Sequence, residues 1–131
     1  IILISAEIES QISSLSSADQ AEYLESLGLK QSGLNKIIKS GYQTLSLITY
    51  FTSGEQETRA WTVTSGSKAP DAAGKIHSDF QSGFIRAETI SYDDFVECAG
   101  EIKAKELGKM RSEGKEYVVQ DGDVMHFLFN N

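Results

Sequence analysis

Leu47-Ile48-Thr49-Tyr50-Phe51-Thr52, the turn Ser53-Gly54, and Thr58-Arg59-Ala60-Trp61-Thr62-Val63-Thr64 are the residues on which the fold turns. The first run is β-branched and aromatic, the last alternates, and a turn signal separates them, so together they read as a β-hairpin. Gly66 and Ser67 end it. Pro70 then suits the first turn of a helix, where its missing N–H leaves no bond unmade, and Ala72, Ala73 and Ile76 give that helix a small-residue face for a sheet. Phe84 to Ile90 returns to strand composition. Ser91 caps a short turn carrying Phe95 and Val96, and Glu101 to Leu107 is a short charged helix closed by Gly108. Tyr117-Val118-Val119, the turn Asp121-Gly122 and the run Val124 to Phe129 supply two more strands.

The order strand, strand, helix, strand, short helices, strand, strand is that of an α+β β-grasp (ubiquitin-like) sheet. Its first and last strands pair in the centre while the helix covers one face. Upstream, from Ser5 to Tyr42, the period is helical instead. Ser17-Ala18-Asp19-Gln20 fits a capping box, Ala21, Leu24 and Leu27 share a face, and Gly28 stands where a left-handed C-terminal residue is expected. Ser32 can cap a second helix, whose apolar positions Leu34, Ile37, Ile38, Gly41, Tyr42 and Leu45 oppose Asn35, Lys36, Lys39 and Gln43. Ile1-Ile2-Leu3-Ile4 opens the chain as a buried strand entered halfway, and is expected to be the rear of a severed larger protein. The expected division is residues 1–46 and 47–131.

Within 131 residues there is room for one domain, or a small domain and an appendage. A hydrophobic fraction of 40% with 24% charged residues is globular. Twelve Lys and Arg against nineteen Asp and Glu give a net charge of −7, which argues against a general polyanion binder. The single cysteine, Cys98, excludes an internal disulfide and fits a reducing compartment. No stretch approaches the ~20 apolar residues of a membrane span, so a cytoplasmic protein without membrane or DNA partners is expected.

Several motifs look chemical and carry little. His77-Ser78-Asp79 holds the three triad residue types, but adjacent residues do not converge in triad geometry. His77 and His126 lack partners at zinc-ligand spacing, and His126 in an alternating strand reads as a structural imidazole. Asp93-Asp94 reads as capping and solvation. Gly66-Ser67-Lys68 resembles the end of a phosphate loop, yet Trp61 stands where the first glycine is needed and Ala69 where a hydroxyl is needed. Cys98 reads as packing. No complete catalytic site is present. Lys103, Lys105, Lys109, Arg111 and Lys115 form the concentrated basic stretch, interleaved with Glu101, Glu106, Glu113 and Glu116. It is a solvated face or a contact strip for RNA phosphates or an acidic partner. Tyr50, Trp61 and Phe80 are candidate stacking faces, although aromatic residues in strands more often serve the core.

Gly41-Tyr42, Leu47 to Thr52, Arg59-Ala60-Trp61-Thr62, Lys68 to Phe80, Gly83 to Glu88, Ser91 to Asp94 and Gly114 to Phe127 together resemble the YchF, or Obg-like ATPase, family. The resemblance covers essentially the whole chain. It implies that Leu47 onward is a TGS domain, the β-grasp module also found in threonyl-tRNA synthetase and stringent-response synthetases. It implies that the preceding strand and helices end a P-loop, GTPase-like nucleotide-binding α/β domain, with Ser5-Ala6 matching the last base-recognition signature. ATP or GTP with Mg2+ would then be bound by the parent protein, and none by this chain alone. The family's last strand often carries a basic residue where Leu128 stands, and the loop after the Trp strand is often basic where Thr64 and Ser65 stand, so any RNA would be held less by charge here.

The function that the resemblance implies is an interaction module for the ribosome or ribosome-associated RNA. Nucleotide binding and hydrolysis in the remainder of the G domain would be coupled to it, and the chain itself would be inactive. The alternative expectation is a buttress or dimerisation module of the ATPase without direct RNA contact.

Overall fold

The computed structural model describes residues 1–54 and 57–130. They form two compact units, Ile1–Leu45 and Ser46–Asn131.

The first unit holds three helices, α1 (Ala6–Ser13), α2 (Ser17–Ser26) and α3 (Gly33–Thr44). Each begins at a serine. Ser5, Ser16 and Ser32 accept hydrogen bonds from the backbone N–H of Ile8, Asp19 and Asn35, meeting donors that a helix start leaves open. The cap of α2 is therefore Ser16, one residue earlier than the sequence suggests. The Ser16 hydroxyl accepts from Asp19 N and donates to the Asp19 carboxylate, while Gln20 reaches back to the carbonyls of Ile12 and Leu15. Gly28 takes the left-handed conformation expected of it, at φ +68°. Glu9 clamps α1 to α3, because its carboxylate accepts from Gly33 N at 2.6 Å and Leu34 N at 3.2 Å. Ile4 packs against Gly33 so closely that a Cβ there would sit 2.9 Å from Ile4 Cγ2.

The strand expected at Ile1–Ile4 is not formed. These residues have no regular structure, and Ile1 and Leu3 are exposed. A strand needs a hydrogen-bonded neighbour, and the described residues of this unit contain only helices. The apolar stripe of α3 is also exposed, with Leu34, Ile37, Ile38 and Leu45 each open to solvent.

The second unit is built on five strands, β1 (Leu47–Ser53), β2 (Thr58–Thr64), β3 (Phe84–Ile90), β4 (Arg111–Glu113) and β5 (Val124–Phe129). Their order is β2-β1-β5-β3-β4. β1 and β2 pair along their whole length as the hairpin, and the first and last strands meet in parallel at the centre. Helices α4 (Ala69–Ile76) and α5 (Ser78–Ser82) follow β2, and α6 (Tyr92–Glu97) and α7 (Glu101–Glu106) follow β3. The sheet is the expected β-grasp arrangement.

Side-chain alternation along each strand divides the interior in two. Tyr50, Val63, Ala87, Met125 and Phe127 point to one face, and the fully buried Ala69, Ala72 and Ala73 of α4 lie against them. Alanine allows the helix backbone to approach, and the phenol of Tyr50 donates to the carbonyl of Ala72 at 2.8 Å. A register shift between Phe84 and Arg86 turns Phe84 into the same layer as Ala87 and leaves Ile85 to solvent. Ile90 and Val124 point to the other face, where Cys98 and Ala104 cover them with Phe51, Phe95 and Met110. Each large side chain buried in this way contributes roughly 1.5–3 kcal/mol.

Two sequence expectations change here. Tyr117–Val119 is not a strand. It makes one isolated bridge, Lys68 with Val118, through Ala69 N to Tyr117 O and Val119 N to Ser67 O. β4 arises instead at Arg111-Ser112-Glu113, which pairs with the outer side of β3.

Candidate partner-binding surface

β1 and β5 register at Phe51 and Val124. On one side of that point the strands are clamped. Thr49 N donates to the Asp121 carboxylate at 2.8 Å, Gly122 N to Thr49 O at 2.7 Å, and Phe51 N to Asp123 O at 2.8 Å. Gly122 supports this turn at φ +89°. The Asp123 carboxylate is buried. It accepts from Tyr117 OH at 2.6 Å and Gln120 N at 2.9 Å, and Arg111 Nη2 lies 3.9 Å away. The guanidinium of Arg111 also sits 5.6 Å from the Tyr117 ring centroid. Desolvation first, then the bond to Asp123, push the Tyr117 phenol up to about 12.

On the other side no further described pair of β1 and β5 is in register, and a cleft of about 480 Å³ is lined by Thr52–Gly54 together with Met125, His126, Phe127 and Phe129. Met125 and Phe127 form its apolar floor. Ile76, Phe80 and Phe129 form one wall and Trp61 another, with Ser53, Glu57 and His126 at the rim. The aromatic walls are fixed. Trp61 Nε1 donates to Thr52 Oγ1 at 2.9 Å, and the Arg59 guanidinium lies 4.2 Å from the Trp61 ring centroid. Phe80 stacks on Phe129 with centroids 4.0 Å apart.

Of the three candidate stacking residues, Trp61 and Phe80 thus share one cleft. Tyr50 is entirely core, 0% exposed, with its phenol held above the ordinary range by burial. The other cleft residues come from three separate segments, and no local motif announces their meeting.

The basic stretch does not form one strip. Lys103 and Lys105 are two residues apart on α7, and residues so spaced do not face one another. Lys109 is tied to Asp94 at 3.1 Å, and this bond holds its ammonium above the usual lysine range. Arg111 is engaged with Tyr117, Glu113 and Asp123 on β4. Lys115 is exposed in the turn after it. Ser5 and Ala6 sit at the start of α1, both exposed, with the Ser5 hydroxyl used as the helix cap.

His77 caps α5 by accepting from Asp79 N through Nδ1 at 3.1 Å, so its triad-like neighbours serve a helix start. Asp94 caps α6 with Ser91, whose hydrogen bond is the first cause of its lowered carboxyl. Lys68 pairs with Glu116 at 2.6 Å. His126 is exposed, and Cys98 is buried among apolar neighbours. Among the described residues no group of three or more His, Cys, Asp or Glu converges on a metal position, and no helix is long and apolar enough to cross a membrane.

Residues 47–130 match the family YchF-GTPase_C, described as a protein of unknown function (DUF933). The chain belongs to the YchF family. It is 54% identical over 130 residues to the ribosome-binding ATPase YchF of Escherichia coli O157:H7 and 57% identical to that of Bacillus subtilis (strain 168). Each match covers 99% of this chain and 36% of the relative, so the chain spans about a third of these YchF proteins. A solved structure of the Schizosaccharomyces pombe YchF GTPase superposes with a TM-score of 0.81 at 39% identity, over 95% of this chain and 33% of that one.

Proposed function

We propose that this chain is the rear part of a ribosome-associating, nucleotide-dependent ATPase of the YchF family, and that residues 47–131 are its TGS docking module. Residues 1–46 are, in this reading, the closing elements of the nucleotide-binding domain. The observation that carries the proposal is the identity of 54–57% across 99% of the chain to proteins named ribosome-binding ATPases. The exposed stripe of α3 and the unpaired Ile1–Ile4 support the second half, since apolar surface of this kind calls for covering by further structure. ATP or GTP with Mg2+ belongs to the rest of the protein. What this chain offers the nucleotide is Ser5 and Ala6, small and exposed residues that let a base approach the backbone.

The test is ribosome co-sedimentation of the full-length protein with and without residues 47–131. Loss of co-sedimentation on deletion, with ATP turnover retained, is the expected result. Unchanged co-sedimentation refutes the docking role, and turnover lost with co-sedimentation intact favours a buttress of the ATPase.

A further inference from the structure

The cleft beyond the Phe51–Val124 contact opens the edge of the α4-side core layer to solvent, with Met125 and Phe127 of that core beneath it and Trp61, Ile76 and Phe80 packed beside them. We infer that it receives a short extended segment of a basic protein. An apolar side chain would seat among Trp61, Phe80 and Phe129, and a flanking lysine or arginine would meet Glu57. This rests on the docking reading above and names the chemistry of its recognition site.

Three observations carry it. The first is shape. At about 480 Å³ the cleft lies within the range of true ligand sites, and its floor and walls are almost wholly apolar. The second is preorganisation. Trp61 is held at its indole N–H and by Arg59 on its ring, and Phe80 is held against Phe129. A rigid aromatic site spends little conformational entropy when it is filled.

The third observation is charge. Glu57 bears the only formal charge among the described lining residues, and between residues 46 and 131 nine Lys and Arg face fourteen Asp and Glu. Lys68, Arg86, Lys109 and Arg111 already lie 2.6 to 3.9 Å from carboxylates. A polyphosphate strand would meet a domain of net negative charge, whereas a basic peptide meets complementary charge. Arg59 is held over the Trp61 ring, and the proposed cation enters on the Glu57 side of the rim.

Trp61 is the single tryptophan of the chain, so its emission reports the cleft directly. The 131-residue chain is titrated with three probes: the peptide acetyl-Lys-Leu-Lys-Phe-Arg-amide, its counterpart with Glu at each basic position, and hexauridylate. The expected result is a saturable change in emission with the basic peptide alone, weakened roughly tenfold by Glu57→Lys. Glu57 is exposed, so this variant leaves the core untouched. No saturable response to the basic peptide, an equal response to the acidic one, or tighter binding of hexauridylate each overturns the inference. A parallel arm uses the full-length protein. If deleting residues 47–131 abolishes ribosome co-sedimentation while Glu57→Lys leaves it intact, the cleft inference fails and the docking reading stands. If the deletion itself changes nothing, the docking reading fails, and the peptide titration still decides the cleft.

Discussion

Replacing Asp123 by alanine removes the carboxylate around which the last turn of the sheet domain is organised. Its side chain is 3% exposed and accepts two hydrogen bonds, from Tyr117 OH at 2.6 Å and Gln120 N at 2.9 Å. A hydrogen bond to a charged group contributes about 1.5–3 kcal/mol, and a buried donor left unmade costs about 1–3 kcal/mol. Tyr117 is half-buried, so water can take up part of its loss. The Arg111 side chain is 48% exposed and 3.9 Å away, so its attraction is screened and adds little. The expected destabilisation is therefore about 2–4 kcal/mol. Urea unfolding followed by Trp61 emission is the right assay, because that residue reports the sheet unit separately from the helices before it. With a slope of about 1–1.5 kcal/mol/M for a domain of this size, the midpoint should fall by about 1.3–4 M. A fall corresponding to less than about 0.5 kcal/mol, in a variant that keeps its far-ultraviolet spectrum, would refute the view that this carboxylate closes the fold.

Tyr50→Phe removes only the bond to Ala72 O at 2.8 Å, and that carbonyl keeps its helical acceptor position, so a loss of about 1 kcal/mol is expected by the same urea assay; a gain in stability would show the bond to be unimportant. Gly83→Ala builds a Cβ into the carbonyl of Asn130, and a loss above about 2 kcal/mol is expected, read as a lowered melting temperature. Raising the pH should leave stability flat up to about 10, the ordinary tyrosine value. Above it stability should fall progressively toward pH 12, because the unfolded chain releases protons that folded Tyr50 and Tyr117 retain. The urea midpoint at pH 8, 10 and 11 tests this, and a midpoint that rises with pH contradicts it.

Most of the fold is legible where local and global preferences agree. β2, β3 and β5 have the limits their alternation suggests, and Ala72 and Ala73 lie against the sheet because only small side chains let the helix approach it. Ser32, Ser91 and Gly28 act as caps because capping is a local matter of one side chain and a few backbone groups. Where the signal is not local, the sequence misleads. Arg111-Ser112-Glu113 has no strand composition and becomes a strand because β3 offers a free edge, on which charges are tolerated. Tyr117-Val118-Val119 has strand composition but no edge to join beyond a single bridge. The cleft lies at the far limit of this scale. Trp61 and Phe80 can be picked out as aromatic faces, but their meeting with Ile76, Phe129 and Glu57 depends on long-range topology that no window of sequence contains.

If the cleft is the docking site inferred above, the contact of β1 with β5 divides the domain's stability from its availability to a partner. Toward Asp121–Asp123, side-chain and main-chain bonds hold the two strands together. Toward Gly54 no further described pair is in register, and aromatic side chains line a cleft with Glu57 at its rim. Variants at the clamp should therefore move the unfolding midpoint and leave peptide affinity alone in the folded fraction. Glu57→Lys should do the reverse, since it touches neither the core nor the clamp. A clamp variant that weakens the peptide as much as Glu57→Lys, while still folded, would mean that the two ends of the contact act as one element and that the cleft is only a by-product of how tightly the sheet is closed.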